Sequence, residues 1–398
     1  MARSRATPPV PRTVWALGFV SLFMDVSSEI IHALLPLFLT VTLGASVMMV
    51  GLVDGIAEAT AAIAKVVSGY VSDRMGRRKP LILLGYGLAA LSKPLFPMAG
   101  SAATVLLARF IDRSGKGMRG APRDALIADV TPREARGRAY GLRQALDSTG
   151  AFLGPAMAIG LMIAFHDDIR RVFWIAALPA VIAFLIIVFA VSDKPGKAVD
   201  TASCPPIALA DLKRLPARFW KVVALGGIFT LARFSEAFLI LKATQAGLPI
   251  MAAPLVLVAM NLVYSLGAYP AGALADDHSA RWLLQAGLVL LVVADAVLAF
   301  TTGVPMAFVG IALWGGHMAM TQGLLSKLVA DHAPEEAAGS AFGLFNLTLG
   351  IATLIASALA GILWESIGPR ATFIAGGAFA ASAIVLAQVI LPRRPEPA

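Results

Sequence analysis

Residues Gly69 to Pro80 read GYVSDRMGRRKP. An apolar run ends at a glycine, meets an acid at Asp73, and turns through Arg74, Gly76, Arg77, Arg78 and Lys79. Glycine lets two helices approach closely, and a basic turn next to an apolar run is the sort of segment retained on the cytoplasmic face of a bilayer. The flanking stretches, 48–71 and 80–99, are each long enough for the roughly 20 apolar residues of a spanning helix.

The same alternation continues in both directions. Apolar stretches fall at 13–42, 48–71, 80–99, 102–124, 137–164, 172–191, 219–243, 250–273, 282–301, 304–327, 340–363 and 371–391. Composition agrees with twelve spans. Hydrophobic residues make up 58% of the 398, charged residues 14%, and the mean hydropathy is +0.79. A soluble domain carries about 45–50% and about 25% respectively, and a soluble chain could not hide this much apolar surface. The expected class is an all-α membrane protein. The same figures exclude a disordered chain, a collagen and a disulfide-rich secreted fold. The single cysteine, Cys204, forms no intramolecular disulfide. The first apolar stretch is too long, and too charged at its centre, for a cleavable signal peptide.

The net charge of +9 would suggest nucleic acid in a soluble protein. Here it is an orientation signal and no nucleic acid is expected. With the N-terminus in the cytoplasm, the loops on that side collect 21 Lys and Arg, and the opposite side holds only Arg170, Arg171 and Arg370. Both termini are therefore expected in the cytoplasm, in a bacterial-type inner (plasma) membrane. The longest polar interruption, Ser192 to Arg218, reads as a linker between two six-helix halves, 1–191 and 219–398. The halves are related: LIADVTPREARGRAYGL at 126–142 and LVADHAPEEAAGSAFGL at 328–344 share ten of 17 positions. A weaker echo pairs Gly69–Asp73 with Gly272–Asp276. Parallel repeats of six spans suggest two bundles about a central path.

The loop after the second stretch resembles the signature of the major facilitator superfamily, G-x-x-x-D-R-x-G-R-R/K. Gly69, Asp73, Arg74, Gly76, Arg77 and Arg78 fit it; Val71 stands where leucine is usual. The resemblance covers the whole chain and implies the major facilitator fold: twelve transmembrane helices in two six-helix bundles related by a pseudo-twofold axis. It implies that Asp73 sits near the N-terminus of the eleventh span, where the helix dipole favours an anion, and that Arg77 pairs with Asp129 as a cytoplasmic latch. It also implies a monomer. Arg113-x-x-Lys116-Gly117 resembles the family's R-x-x-Q-G element, whose arginine is linked to proton transfer; lysine replaces the glutamine. On the fifth stretch Gly141, Gly150, Gly154 and Pro155 resemble the antiporter motif of proton-coupled drug exporters, G-x8-G-x3-GP-x2-GG, with Ala158-Ile159 in place of the last two glycines.

The spans hold eight acids and nine bases. At about 3 kcal/mol for each lipid-facing charge at the core centre, such a set would cost on the order of 50 kcal/mol, far beyond a fold's net stability of about 5–15 kcal/mol. Most must face water, substrate or one another, so a polar cavity follows. Asp25, Glu29 and His32 share a face of the first span, and Asp54, Glu58 and Lys65 a face of the second. Arg109, Arg113 and Lys116 share a face of the fourth, with Asp112 in reach of Arg109 and Lys116. Asp147, Arg233 and Glu236 complete the midplane set, with Arg233 aligned on Asp25 through the repeat. Asp295, on a span that is peripheral in the family, is expected to snorkel outward. His32 together with the acids offers a possible metal site, but a lone helix histidine is more often a satisfied polar group, as is His317, and no metal is assigned.

These features point to alternating access with a midplane carboxylate that takes a proton on one side and releases it on the other; Asp25, Glu58 and Glu29 lead, then Glu236. The leading expectation is proton-coupled export of a small organic molecule, with a charged solute or metal ion as the alternative cargo. No H-E-x-x-H, G-x-S-x-G or nucleotide-binding loop points to an enzyme or a cofactor. A membrane receptor or sensor is the remaining class, and it would usually bring a soluble domain that these short loops do not supply.

Overall fold

A computed structural model describes residues 10–75, 77–132, 135–193, 215–277, 279–321 and 338–390. Among these the regular elements are helices. They run as α1 (Arg12–Leu37), α2 (Val47–Met75), α3 (Lys79–Ser92), α4 (Ala102–Val130), α5 (Arg136–Ala164), α6 (Ile169–Ala190), α7 (Ala217–Leu231), α8 (Ala237–Gln245), α9 (Leu255–Asp277), α10 (Ala280–Ala299), α11 (Val304–Thr321), α12 (Ala338–Ser366) and α13 (Pro369–Ile390). Every apolar stretch overlaps one of them, the seventh being shared by α7 and α8 and the third running past α3 into a single helical turn, Leu95–Met98. Among the described residues, ten segments are long and apolar enough to cross a membrane. The stretches outside that set are α4, which is heavily charged, and the divided α7–α8.

The chain forms two compact units. The first takes Met1–His32, Ile63–Ala99 and Ala103–Pro205; the second takes Ala33–Ala62, Gly100–Ala102 and Pro206–Ala398. The boundary passes through α1 and α2, so their two ends belong to different units.

In the first unit Val14, Leu17, Val20 and Met24 of α1 meet Ile82 and Tyr86 of α3, Leu126 and Ile127 of α4, and Ala180, Ala183 and Ile187 of α6. Helices α3 and α4 touch backbone to backbone at Gly85 and Gly115, where a Cβ on either would run into the other's carbonyl. The start of α3 is fixed by Asp193, whose Oδ2 accepts from the N–H groups of Arg78 (3.0 Å) and Lys79 (2.9 Å). A carboxylate there satisfies donors that the helix leaves open.

In the second unit the core is aromatic. Phe234 lies against Phe238, Trp314 and Phe373, and Trp364 against Phe238 and Phe373. Helix α1 enters this unit through Pro36, which lacks the N–H an α-turn needs. The helix passes into a π-turn, Phe38–Thr42, and Thr40 Oγ1 donates to the Pro36 carbonyl at 2.8 Å. Gly44, at φ +64°, ends the segment in the left-handed region.

The repeat extends beyond its readable identity. Helix α6 buries Val172, Phe173, Ala176, Ala180, Ala183 and Ile187; α13 buries Thr372, Phe373, Gly376, Ala380, Ala383 and Ala387, each 200 positions later. The two helices use one packing stripe, with the same residue at three of its six positions: Phe173 and Phe373, Ala180 and Ala380, Ala183 and Ala383.

Burial is inverted relative to a soluble protein. Leu91 is 74% exposed and Phe189 82%, whereas Arg109 is 1% exposed, and Asp112, Arg113 and Arg119 are also buried. Apolar side chains face outward and ions inward, as a hydrocarbon solvent requires.

Candidate functional site

In the first unit the polar face of α1 carries Asp25, Ser28, Glu29 and His32. Helix α5 crosses it at two glycines. A Cβ on Gly150 would lie 2.8 Å from the Leu22 carbonyl oxygen and 3.0 Å from Asp25 Cβ; one on Gly154 would lie 2.6 Å from Glu29 Cβ. The motif glycines thus set the α1–α5 separation at the two acids, and Pro155 is buried beside them. Gly141 is different: it is exposed, and among the described residues nothing comes within 4 Å of its missing side chain.

Asp25 and Glu29 are both half-buried. The charged groups acting on Asp25 are Asp147 of α5 and Lys116, Arg119 and Arg123 of α4. Asp147 is itself held by Arg143 Nη1 at 2.9 Å and lies 3.9 Å from Arg123 Nη1. Arg123 is fixed in turn by Ser21 Oγ, at 2.6 Å, and Asp124, at 3.4 Å. Asp147, expected in the cavity set, is the acid of an arginine network beside Asp25. Arg113 is buried and Lys116 exposed on α4.

The α4 charges find partners that helical spacing does not show. Asp112, in reach of Arg109 along the helix, takes its closest cation from another helix. Its Oδ1 takes Lys93 Nζ from α3's C-cap, at 2.8 Å, and Lys93 also donates to Ser28 Oγ at 3.0 Å. Arg109 Nη2 reaches His32 Nδ1 at 2.8 Å. A guanidinium only donates, so Nδ1 is the acceptor and the neutral ring carries its proton on Nε2. His32 is therefore an arginine's acceptor. Among the described residues no group of three His, Cys, Asp or Glu side chains is placed to hold a metal ion.

The signature loop is partly described. Gly76 and the side chains of Asp73 and Arg74 lie outside the described residues, as do residues 328–337 of the second repeat copy. The arginine facing Asp129 is Arg78, not Arg77: its Nε lies 3.4 Å from Asp129 Oδ2 and its Nη1 donates to Ser72 Oγ at 2.8 Å. Arg77 is exposed. Arg78 is aimed by its own backbone, which Asp193 holds at the start of α3. Gly69 stands 3.5 Å, for an added Cβ, from Ala121 of α4. That is ordinary contact, so among the described residues no tight approach is seen there.

In the second unit the seventh span is not continuous. It breaks between Leu231 and Ala237, placing Arg233, Ser235 and Glu236 at the interruption. Ser235 Oγ donates to Asp54 Oδ2 at 2.6 Å and accepts from the Ala237 N–H at 3.1 Å. One hydroxyl thus ties the start of α8 to the buried acid of α2. Glu58 lies one turn further along α2, half-buried. The Arg233 guanidinium stands 5.7 Å from the Phe229 ring and 6.0 Å from the Trp314 ring. Broken spans that carry polar groups at membrane depth are tolerated where protein or a cavity surrounds them.

Asp295 does not snorkel outward. It is 1% exposed, and its Oδ1 accepts from Trp314 Nε1 at 3.2 Å. Gly376 of α13 packs on its other oxygen, which has no hydrogen-bond partner among the described residues. His317 is also buried, donating from Nδ1 to the Gly287 carbonyl at 2.8 Å. Sequence position alone suggested a peripheral Asp295; the nearby tryptophan, on the next helix, was the missing clue.

Helices with apolar exteriors, internal ion pairs and a broken span define a multi-pass membrane protein of transporter architecture. The family profile of the Major Facilitator Superfamily matches residues 17–263 and 223–398. The chain is 30% identical over 377 residues to an uncharacterised MFS-type transporter of Methanocaldococcus jannaschii, covering 93% of this chain and 92% of that one. It is 27% identical to the multidrug resistance protein MdtH of Proteus mirabilis, over 84% of this chain and 80% of that protein. Among solved structures it is similar to a POT family transporter crystallised with 5-aminolevulinic acid, with a TM-score of 0.78 at 13% identity, covering 96% of both chains. The chain belongs to the major facilitator superfamily: it is a membrane transporter for a small-molecule substrate, not an enzyme.

Proposed function

We propose that the protein is a secondary active transporter that exports a small organic molecule in exchange for protons, by alternating access between two six-helix bundles, 1–191 and 219–398, joined by the cytoplasmic linker 192–218. It works as a monomer with twelve spans in a bacterial-type inner membrane, both termini in the cytoplasm. The observation that carries this reading is the seating of Gly150 and Gly154 against Asp25 and Glu29. The element that resembles an antiporter motif thus controls the spacing around the two α1 acids. Small residues at four-residue spacing let the helices slide or tilt with little steric cost, and Pro155 removes one backbone bond of α5, which permits a bend there. Such a movement changes how far Asp25 stands from Lys116, Arg119 and Arg123 of α4, and so changes its affinity for a proton. Relatives named for multidrug resistance favour an organic cargo.

The interior arginines favour a second reading in which the cargo is itself charged; Arg113 and Arg233 are then the groups that would meet an anionic substrate. Proteoliposomes with an imposed pH gradient separate the readings. Ethidium and norfloxacin should move against the proton flow in the wild type, and Asp25→Asn should lose this coupled movement while still inserting normally. Undiminished coupled flux in Asp25→Asn, and also in Glu29→Gln, would remove the proton-carrying role of this face.

A further inference from the structure

At one end of the second unit, where α8 ends and the α10–α11 and α12–α13 turns meet, there is an open cleft of about 290 Å³. It is lined by Lys242, Gln245, Ala246, Ala299, Thr301, Thr302, Pro369 and Arg370, none of them acidic. Lys242 is 8% exposed, and among the described residues its ammonium has no hydrogen-bond or ion-pair partner. The charged group acting on it is Arg370, a like charge. The Arg370 guanidinium is held over the Phe300 ring, 4.9 Å from its centroid. Pro369 opens α13, a helix of 22 residues, and lines the cleft with Arg370, so the positive dipole end of that helix borders it.

Two cations that converge on an acid-free cleft repel each other, and the Lys242 ammonium, at the end of a buried stem, meets no counter-charge among the described residues. A bound anion removes both penalties. A planar guanidinium, an ammonium and a helix N-terminus together match the several oxygens of a phosphate. Phe300 and Ile367, the residues beside the cleft in the two turns, are exposed apolar side chains, which suits a ligand carrying acyl chains. We propose that this cleft is a phosphate-binding site, filled by the headgroup of an anionic phospholipid or by a soluble phosphate ester. That it faces away from the cytoplasm rests on the orientation proposed above; binding itself does not.

The test uses delipidated full-length protein in neutral detergent and reads thermal stability and direct binding without any ion gradient, so it is independent of transport. The probes are phosphatidylglycerol, glycerol 3-phosphate and, as control, an uncharged diacylglycerol. The variants are Arg370→Gln, on an exposed side chain, and Lys242→Met, which keeps the buried stem. The wild type should be stabilised by phosphatidylglycerol, with affinity falling about tenfold in Arg370→Gln and by at least as much in Lys242→Met. Stabilisation by glycerol 3-phosphate as well assigns a soluble ester; stabilisation by the lipid alone assigns the headgroup. Equal responses of wild type and Arg370→Gln to both phosphate probes, or a response to diacylglycerol matching that to phosphatidylglycerol, would overturn the site. If Lys242→Met does not fold, Arg370→Gln decides.

Discussion

Lys93 and Asp112 are both buried, and each is the other's counter-ion at 2.8 Å. The worth of such a pair lies mainly in what happens when it is broken. Removing one partner leaves an uncompensated charge, which costs roughly 3–5 kcal/mol, whereas removing both is far milder. We expect Lys93→Met and Asp112→Asn each to lower the melting temperature of the purified protein sharply, and the double variant to recover most of the loss. Single variants that melt with the wild type would show that the pair does not hold α3 to α4. The pairing also shows what a sequence leaves out. Helical spacing places Asp112 beside Arg109 and Lys116, because periodicity sees one helix at a time. Lys93 belongs to the end of another helix, and only packing brings it in. The same limit hid Arg78 as the partner of Asp129, and Trp314 as the donor to Asp295.

At the scale of elements, α5 separates two kinds of glycine that a motif treats alike. Gly154 leaves no room for a methyl group against Glu29, while nothing among the described residues stands near Gly141. Gly154→Ala should push α1 from α5, lower stability by about 1–3 kcal/mol as overpacking does, and depress transport. Gly141→Ala should be silent in both measurements, and a comparable defect in the two would detach the motif's function from the α1 contact. The break between α7 and α8 gives a second test at this scale. Ser235→Ala deprives Asp54 Oδ2 of its 2.6 Å donor and the start of α8 of its acceptor. The expected loss is on the order of 1–3 kcal/mol, seen as faster hydrogen exchange around Ala237. The helix limits were legible because hydrophobic length and basic turns are local signals. The break was not, because the stretch contains neither proline nor glycine there. Its signal was chemical: three polar residues, Arg233, Ser235 and Glu236, crowded into mid-span.

For the whole molecule, the inversion of burial was legible in advance. Seventeen charges inside apolar stretches could not all face lipid, and the structure turns Arg109, Asp112, Arg113 and Arg119 inward while Leu91 and Phe189 face out. The paired stripes of α6 and α13 belong to the same scale, since all six positions stay buried in both copies although only three keep the same residue. Orientation remains a proposal, resting on where the lysines and arginines fall, and the single native cysteine makes it testable. Cys204 belongs to the linker 192–218, and Arg171 is exposed in the first turn of α6, next to the α5–α6 turn. In intact cells a membrane-impermeant maleimide should leave the wild type unlabelled and should label Arg171→Cys in a Cys204→Ser background. In everted vesicles the pattern should reverse. Each half of the experiment controls the other, because a cysteine that is merely unreactive stays dark in both preparations, whereas a correctly placed one changes with the side exposed. Labelling of Cys204 from outside intact cells would invert the assignment, putting the termini and the Arg78–Asp129 pair on the far side of the membrane and the Lys242–Arg370 cleft toward the cytoplasm.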